Sequence, residues 1–305
     1  MARATSTRPR RSGTRGAPEP VRAEQGRARP RPPGGGPGLG GRLVRALAAI
    51  AVLALVVPVV LDEPPVTENP RFAGDVVVFY PEHPDDETLL GASAIRAALA
   101  QKGAGNVYVV LVSQGRGVAP ALPGPSLAGM TLAEIGARRV SELGAAMRAL
   151  GVEAGHVVVL PDLQPGPADN LAEMRATALR LERSEARAGR SVTHVAHSYV
   201  DDPNPLHRAN GRVLKDLADA GLVHDALFWV RPYEKLVIPR PELRRFQALT
   251  PADVRAVRAA IRAYRHADPA AGLDAIGYRS TPWSFAMLSA DGHLTSYLHT
   301  AAVPG

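Results

Sequence analysis

Apolar residues along this chain fall into short continuous runs, separated by longer stretches in which they recur every third or fourth position. The runs at 76–80, 107–112, 156–160, 192–197 and 226–230 predict strands. The stretches at 87–102, 131–150, 170–188 and 208–220 predict helices between them. Strand and helix in alternation imply right-handed crossovers, hence an α/β, Rossmann-like fold with a mostly parallel sheet and helices on both faces. Thr131-Leu132-Ala133-Glu134 reads as a capping box, and Gly151 as the stop after Leu150. The Pro/Gly-rich stretch 119–129 reads as a loop and a candidate lid. Beyond Pro239 the pattern fades: 252–266 reads as a helix, and 278–298 as irregular chain or a short hairpin. No internal repeat is present.

Ahead of the first strand lies a different kind of stretch. Residues 43–61 are apolar except for Arg45, close to the roughly 20 residues a membrane helix needs. Arginines before it and Asp62-Glu63 after it predict a cytoplasmic N-terminus and an outward-facing C-terminal domain. The chain then reads as a plasma-membrane protein with a single-pass signal anchor, a cleaved signal peptide being the alternative. The prolines of 62–72 suggest a stiff linker, with the domain proper at 73–305.

Composition sharpens the division. Residues 1–42 carry ten arginines against Glu19 and Glu24, a charge of +8, while the whole chain of 305 residues carries +7, so everything after Arg42 sums to −1. With many Gly and Pro and almost no bulky apolar residues, the tail is expected to be disordered and cytoplasmic. A near-neutral domain gives no support to nucleic-acid binding. The chain has no cysteine, so any metal is held by nitrogen and oxygen.

The chemistry concentrates after the first strand, at His83-Pro84-Asp85-Asp86-Glu87. Here three carboxylates crowd beside an imidazole within five positions; such like charges repel unless a cation or solvent relieves them, and a divalent metal is the economical relief. At a strand's C-terminal end they stand where open α/β sheets bind ligands. One short loop does not complete a catalytic zinc site, which takes three protein ligands. A further ligand is expected from another strand end, and 194–211 also leads from a strand into a helix.

His83-Pro84-Asp85-Asp86-Glu87 resembles the His-Pro-Asp-Asp-Glu signature of the PIG-L/LmbE-like zinc-dependent N-deacetylases, which act on N-acetylglucosamine-type substrates. Asn204-Pro205-Leu206-His207-Arg208 is similar to that family's His-Pro-Asp-His-Arg loop. The resemblance implies zinc held by His83, Asp86 and His207, with Asp85 as general base and Asn204 in the place of a histidine credited with stabilising the oxyanion. Asn204 cannot give a proton, and Leu206 replaces an aspartate that orients its neighbours. It further implies a substrate pocket near Gly115, Arg116 and Arg139. For Arg139 a surface ion pair with Glu142 is the alternative, and His197 is either a support for the ligands or a satisfied histidine. The implied activity is removal of an N-acetyl group from an N-acetylated amino sugar, glycolipid or envelope glycan. A catalytically impaired, metal-containing glycan-binding module is the rival, and a metal-dependent phosphoester hydrolase a third reading.

Overall fold

The computed structural model describes residues 64–117, 127, 129–161 and 167–305, with the backbone alone at 167–169. The expected tail 1–42, the apolar span 43–61 and most of the loop 119–129 lie outside the described residues. Among the described residues no helix is long and apolar enough to cross a membrane.

In chain order the main elements are β1 (Val76–Phe79), α1 (Asp86–Leu89), α2 (Ala92–Lys102), β2 (Val107–Leu111), α3 (Leu132–Leu150), β3 (Val157–Val159), α4 (Pro167–Arg187), β4 (Val192–His197), α5 (Pro205–Asp219) and β5 (Asp225–Val230). After them come β6 (Leu243–Phe246), α6 (Pro251–Arg265), a two-residue pairing of β7 (Ala267–Asp268) with β8 (Leu273–Asp274), α7 (Ile276–Ser280), α8 (Pro282–Ala290) and β9 (Ser296–Thr300). The main sheet runs β3-β2-β1-β4-β5-β9-β6. Its first five strands are parallel, and β9 is antiparallel to both β5 and β6.

Strand alternation sends β1 into two cores. Val77 and Phe79 join Ile95 of α2, Leu143 and Met147 of α3, and Ile261 and Tyr264 of α6. Val76 and Val78 join Met174 of α4 and Leu214 and Leu217 of α5 on the other face. Each such side chain contributes about 1.5–3 kcal/mol on burial, against about 1 kcal/mol for a helix cap, so the layers rather than the caps decide the fold. The caps still set boundaries: Thr131 Oγ1 accepts from the Glu134 amide at 3.2 Å while Glu134 Oε2 accepts from the Thr131 amide at 2.7 Å. Gly151 ends α3 at φ +93°.

Three expectations change. The helix expected over 87–102 is broken at Leu90-Gly91, where a Cβ on Gly91 would stand 2.8 Å from the Trp229 ring. The stretch 278–298 is neither irregular nor a hairpin but α8 followed by β9. The linker of 62–72 is docked from Val66 onward: the Val66 amide donates to Gln247 Oε1 at 2.8 Å, and the Phe72 ring stacks on Phe246 at 4.9 Å.

Candidate metal centre

β1 and β4 lie side by side, but the chain leaves β1 toward β2 and β3 and leaves β4 toward β5. Their exit loops therefore diverge at the carboxyl edge and open a crevice, the usual ligand position in such sheets. The loop after β1 supplies His83, Asp85 and Asp86. The loop after β4 supplies Asp202 and Asn204, and the first turn of α5 adds His207.

Asp86 Oδ2 is the meeting point. It accepts the His83 backbone amide at 2.8 Å and lies 3.4 Å from His83 Nδ1 and 3.4 Å from His207 Nε2. The two ring nitrogens are 3.3 Å apart. Donors about 2.0–2.1 Å from a tetrahedral zinc stand roughly 3.3–3.4 Å from one another, so this near-equilateral triangle has the edge that such an ion requires. The residues expected as ligands are thus brought together across 121 positions of chain, from Asp86 to His207.

His197, Asp202 and His207 form a second, overlapping cluster. There Asp202 Oδ2 accepts from His207 Nδ1 at 3.0 Å, which puts the proton on Nδ1 and turns the bare Nε2 toward Asp86 and His83. His197 is fully buried and stacks on His207 at 4.0 Å. Its Nε2 accepts the Glu82 amide at 3.1 Å, while its Nδ1 has no partner among the described residues. Burial pushes His197 down to about 4, so it is neutral at ordinary pH.

The two adjacent aspartates are driven apart. Burial works against ionisation of Asp86, yet His207 beside it holds its carboxyl well below the usual range. Burial pushes Asp85 up to about 6, with Arg139 offsetting part of the rise. One carboxylate is pinned as an anion and the other exchanges a proton near neutrality.

Asp85 sits at φ +129°, a backbone position that costs on the order of 1–3 kcal/mol for a residue with a Cβ. Its neighbours hold it there. Arg139 Nη2 donates to the Pro84 carbonyl at 2.6 Å and to Asp85 Oδ2 at 2.9 Å, and its Nη1 donates to the Gly115 carbonyl at 3.0 Å. Glu87 Oε2 accepts the Asp85 amide at 3.0 Å. The Ser280 hydroxyl is shared between Asp85 Oδ2 at 3.2 Å and the Gly277 carbonyl at 2.7 Å. Asp85 Oδ1 makes no hydrogen bond among the described residues.

The residues expected at the substrate are placed differently. Arg139 is 2% exposed and forms part of the cleft wall, but its guanidinium is committed to Asp85, Pro84 and Gly115. Nor does it make a surface ion pair: Glu142 is also buried and accepts the amides of Asp274, Ile276 and Gly277. A Cβ on Gly115, at φ +63°, would stand 2.3 Å from Arg139 Nη1, so the close approach this glycine permits is that of Arg139. Arg116 donates to Gln114 Oε1 at 3.0 and 3.2 Å and does not line the cleft. Asn204 does line it. Its Oδ1 caps α5 by accepting the Leu206 amide at 2.9 Å, and its Nδ2 is uncommitted among the described residues.

Asp202, Arg231 and Ser280 join the site from outside the two loop motifs, whereas Glu87 belongs to the first of them. Asp202 had one signal, its place five residues before His207. Arg231 and Ser280, which also line the cleft, are too distant in sequence to have had any.

No family model matches the chain, and no curated protein matches it. Among solved structures it is similar to the N,N'-diacetylchitobiose deacetylase of Pyrococcus horikoshii, at 16% identity over 83% of this chain and 92% of that one, with a TM-score of 0.48. It is also similar to the A40926 pseudoaglycone deacetylase Dbv21, at 18% identity over 74% and 96% of the two chains and a TM-score of 0.47. A third neighbour, the 4-carboxy-2-hydroxymuconate hydratase GalB of Pseudomonas putida KT2440, matches at 14% identity over 75% and 97%, with a TM-score of 0.45. Likenesses at this level assign no chemistry, and the chemistry has to come from the residues.

Proposed function

We propose that the domain is a zinc-dependent amide hydrolase that removes the N-acetyl group from an N-acetylglucosamine-type sugar, glycolipid or envelope glycan, and that the apolar span 43–61 anchors it outside the plasma membrane. The observation that carries the proposal is the triangle of His83 Nδ1, Asp86 Oδ2 and His207 Nε2, with edges of 3.3–3.4 Å, beside a second buried carboxylate, that of Asp85, held at the cleft by Arg139 and Ser280.

His83, Asp86 and His207 would hold the zinc, which when bound polarises the amide carbonyl and makes water a better nucleophile. Asp85 Oδ1 takes the proton of the attacking water, while Arg139 and Ser280 keep Oδ2 in place. Protonated Asp85 then returns that proton to the leaving amine. Asn204 Nδ2 donates a hydrogen bond to the oxygen that gains charge but transfers no proton, so proton delivery rests on Asp85.

The test is acetate release by the zinc-loaded full chain from N-acetylglucosamine oligosaccharides and glycolipids. Asp85→Asn is expected to abolish release while retaining the metal. Binding of these sugars by the wild type without any release would favour the metal-containing glycan-binding module, which the departures at Asn204 and Leu206 motivate.

A further inference from the structure

A second, narrow cavity lies beside the metal centre, between α8 and the segment that follows β5. Asp86, Leu89 and Arg231 belong to both cavities, so one wall of the second is a metal ligand itself. Away from that wall the surface turns apolar, with Leu90, Pro232, Tyr233, Met287 and Leu288. The polar groups there are already engaged. Asp291 accepts the amides of His293 at 2.9 Å and Thr295 at 2.7 Å, Ser284 Oγ accepts from Thr281 Oγ1 at 2.7 Å, and Arg231 Nε donates to Asp202 at 3.3 Å. A sugar hydroxyl entering this space would lose water and find few partners, whereas an alkyl chain loses nothing. The two segments that flank the cavity also carry exposed apolar side chains, Trp283 at 56%, Leu236 at 66% and Val237 at 56%.

We infer that this cavity takes the alkyl chain of an N-acyl group longer than acetyl. The inference rests on the amide-hydrolase reading above and names its acyl donor. Because Asp86 lines both cavities, the second begins beside the metal centre, where the reacting carbonyl would sit. The acyl chain is bonded to that carbonyl carbon. An alkyl aglycone is separated from it by the amide nitrogen, the sugar's C2 and C1, and the glycosidic oxygen. The reaction is unchanged in kind: water adds to the carbonyl, the C–N bond breaks, and a fatty carboxylate and a free amine leave.

The test compares methyl glycosides of N-acetyl- and N-octanoylglucosamine with the n-octyl glycoside of N-acetylglucosamine, on the zinc-loaded full chain. Hydrolysis and calorimetric binding are both measured. Each buried methylene contributes about 0.8 kcal/mol, so even partial insertion favours the N-octanoyl compound by at least about tenfold in kcat/KM and in affinity. Met287→Trp, which fills the cavity, is expected to cut the octanoyl-to-acetyl ratio to near one. Tyr233→Ala, at a position 42% exposed, is expected to lower it several-fold should the tryptophan variant not fold. Equal handling of the two acyl groups overturns the inference while leaving the hydrolase intact, as does a preference confined to the octyl glycoside. Tighter binding of the octanoyl compound, lost in either variant but without hydrolysis of any substrate, sustains the cavity assignment and rejects the hydrolase.

Discussion

Asp202 Oδ2 accepts from His207 Nδ1 at 3.0 Å, and that bond decides which nitrogen His207 offers to a metal. Asp202 is itself 1% exposed and receives Arg231 Nε at 3.3 Å on the same oxygen, so its carboxylate is fixed from two sides. Removing such an outer partner typically costs 10- to 100-fold in metal affinity. Asp202→Ala is therefore expected to weaken zinc binding by about that factor, measured by competition with a chromophoric chelator, and His207→Ala to abolish it. Unchanged affinity in Asp202→Ala would remove Asp202 from the site.

Arg139 is buried against Asp85, and its charge partly offsets the rise that burial imposes on that carboxyl. In Arg139→Gln the offset is lost, so Asp85 holds its proton to higher pH. Since a general base works only when deprotonated, the acid limb of the kcat/KM profile is expected to move upward by on the order of one pH unit. A limb that stays in place while kcat/KM falls would assign Arg139 to scaffolding alone.

The parallel strands were legible because burial on both faces makes them continuous apolar runs, and the ligand loops because imidazole and carboxylates crowd one strand end. Residues whose meaning depends on what lies opposite were not. Arg139 and Glu142 have the spacing of a surface pair, and only their burial shows that one holds Asp85 and the other the segment carrying Ser280. Gly115 reads as room for a ligand until Arg139 is seen to fill the space. Helix α8 has no polar stripe to mark it as amphipathic, so its sequence resembles irregular apolar chain as much as a helix.

Glu87 lies fully buried, accepting from Tyr264 Oη at 2.7 Å, Thr88 Oγ1 at 2.8 Å and the Asp85 amide at 3.0 Å, and burial pushes it up to about 7 from an ordinary 4.5. A carboxyl raised in the folded state adds stability that is fully present below 4.5 and is lost as pH rises through 7. Metal-free protein is therefore expected to melt at a lower temperature at pH 8 than at pH 5.5. Glu87→Gln, which stays neutral, should shrink that difference. A difference of the same size in the variant would place the titrating group elsewhere.

Gly211 lies one turn beyond His207 on the face of α5 that meets the end of β4. A Cβ there would stand 2.2 Å from the His197 carbonyl oxygen and 2.8 Å from the Tyr199 amide nitrogen, both backbone atoms that no rotamer change can move. Alanine in a helix is worth about 1 kcal/mol over glycine, but overpacking against a fixed neighbour costs about 1–3 kcal/mol, so the clash wins. Relief comes from α5 shifting away from the sheet, and the shift carries His207 from the 3.3–3.4 Å triangle it forms with His83 and Asp86. Gly211→Ala is thus expected to lower both the melting temperature and zinc affinity. Restoring stability elsewhere in the molecule should not recover the metal. A variant that melts earlier but binds zinc with native affinity would show that His207 reaches its partners without the close contact of α5 and β4.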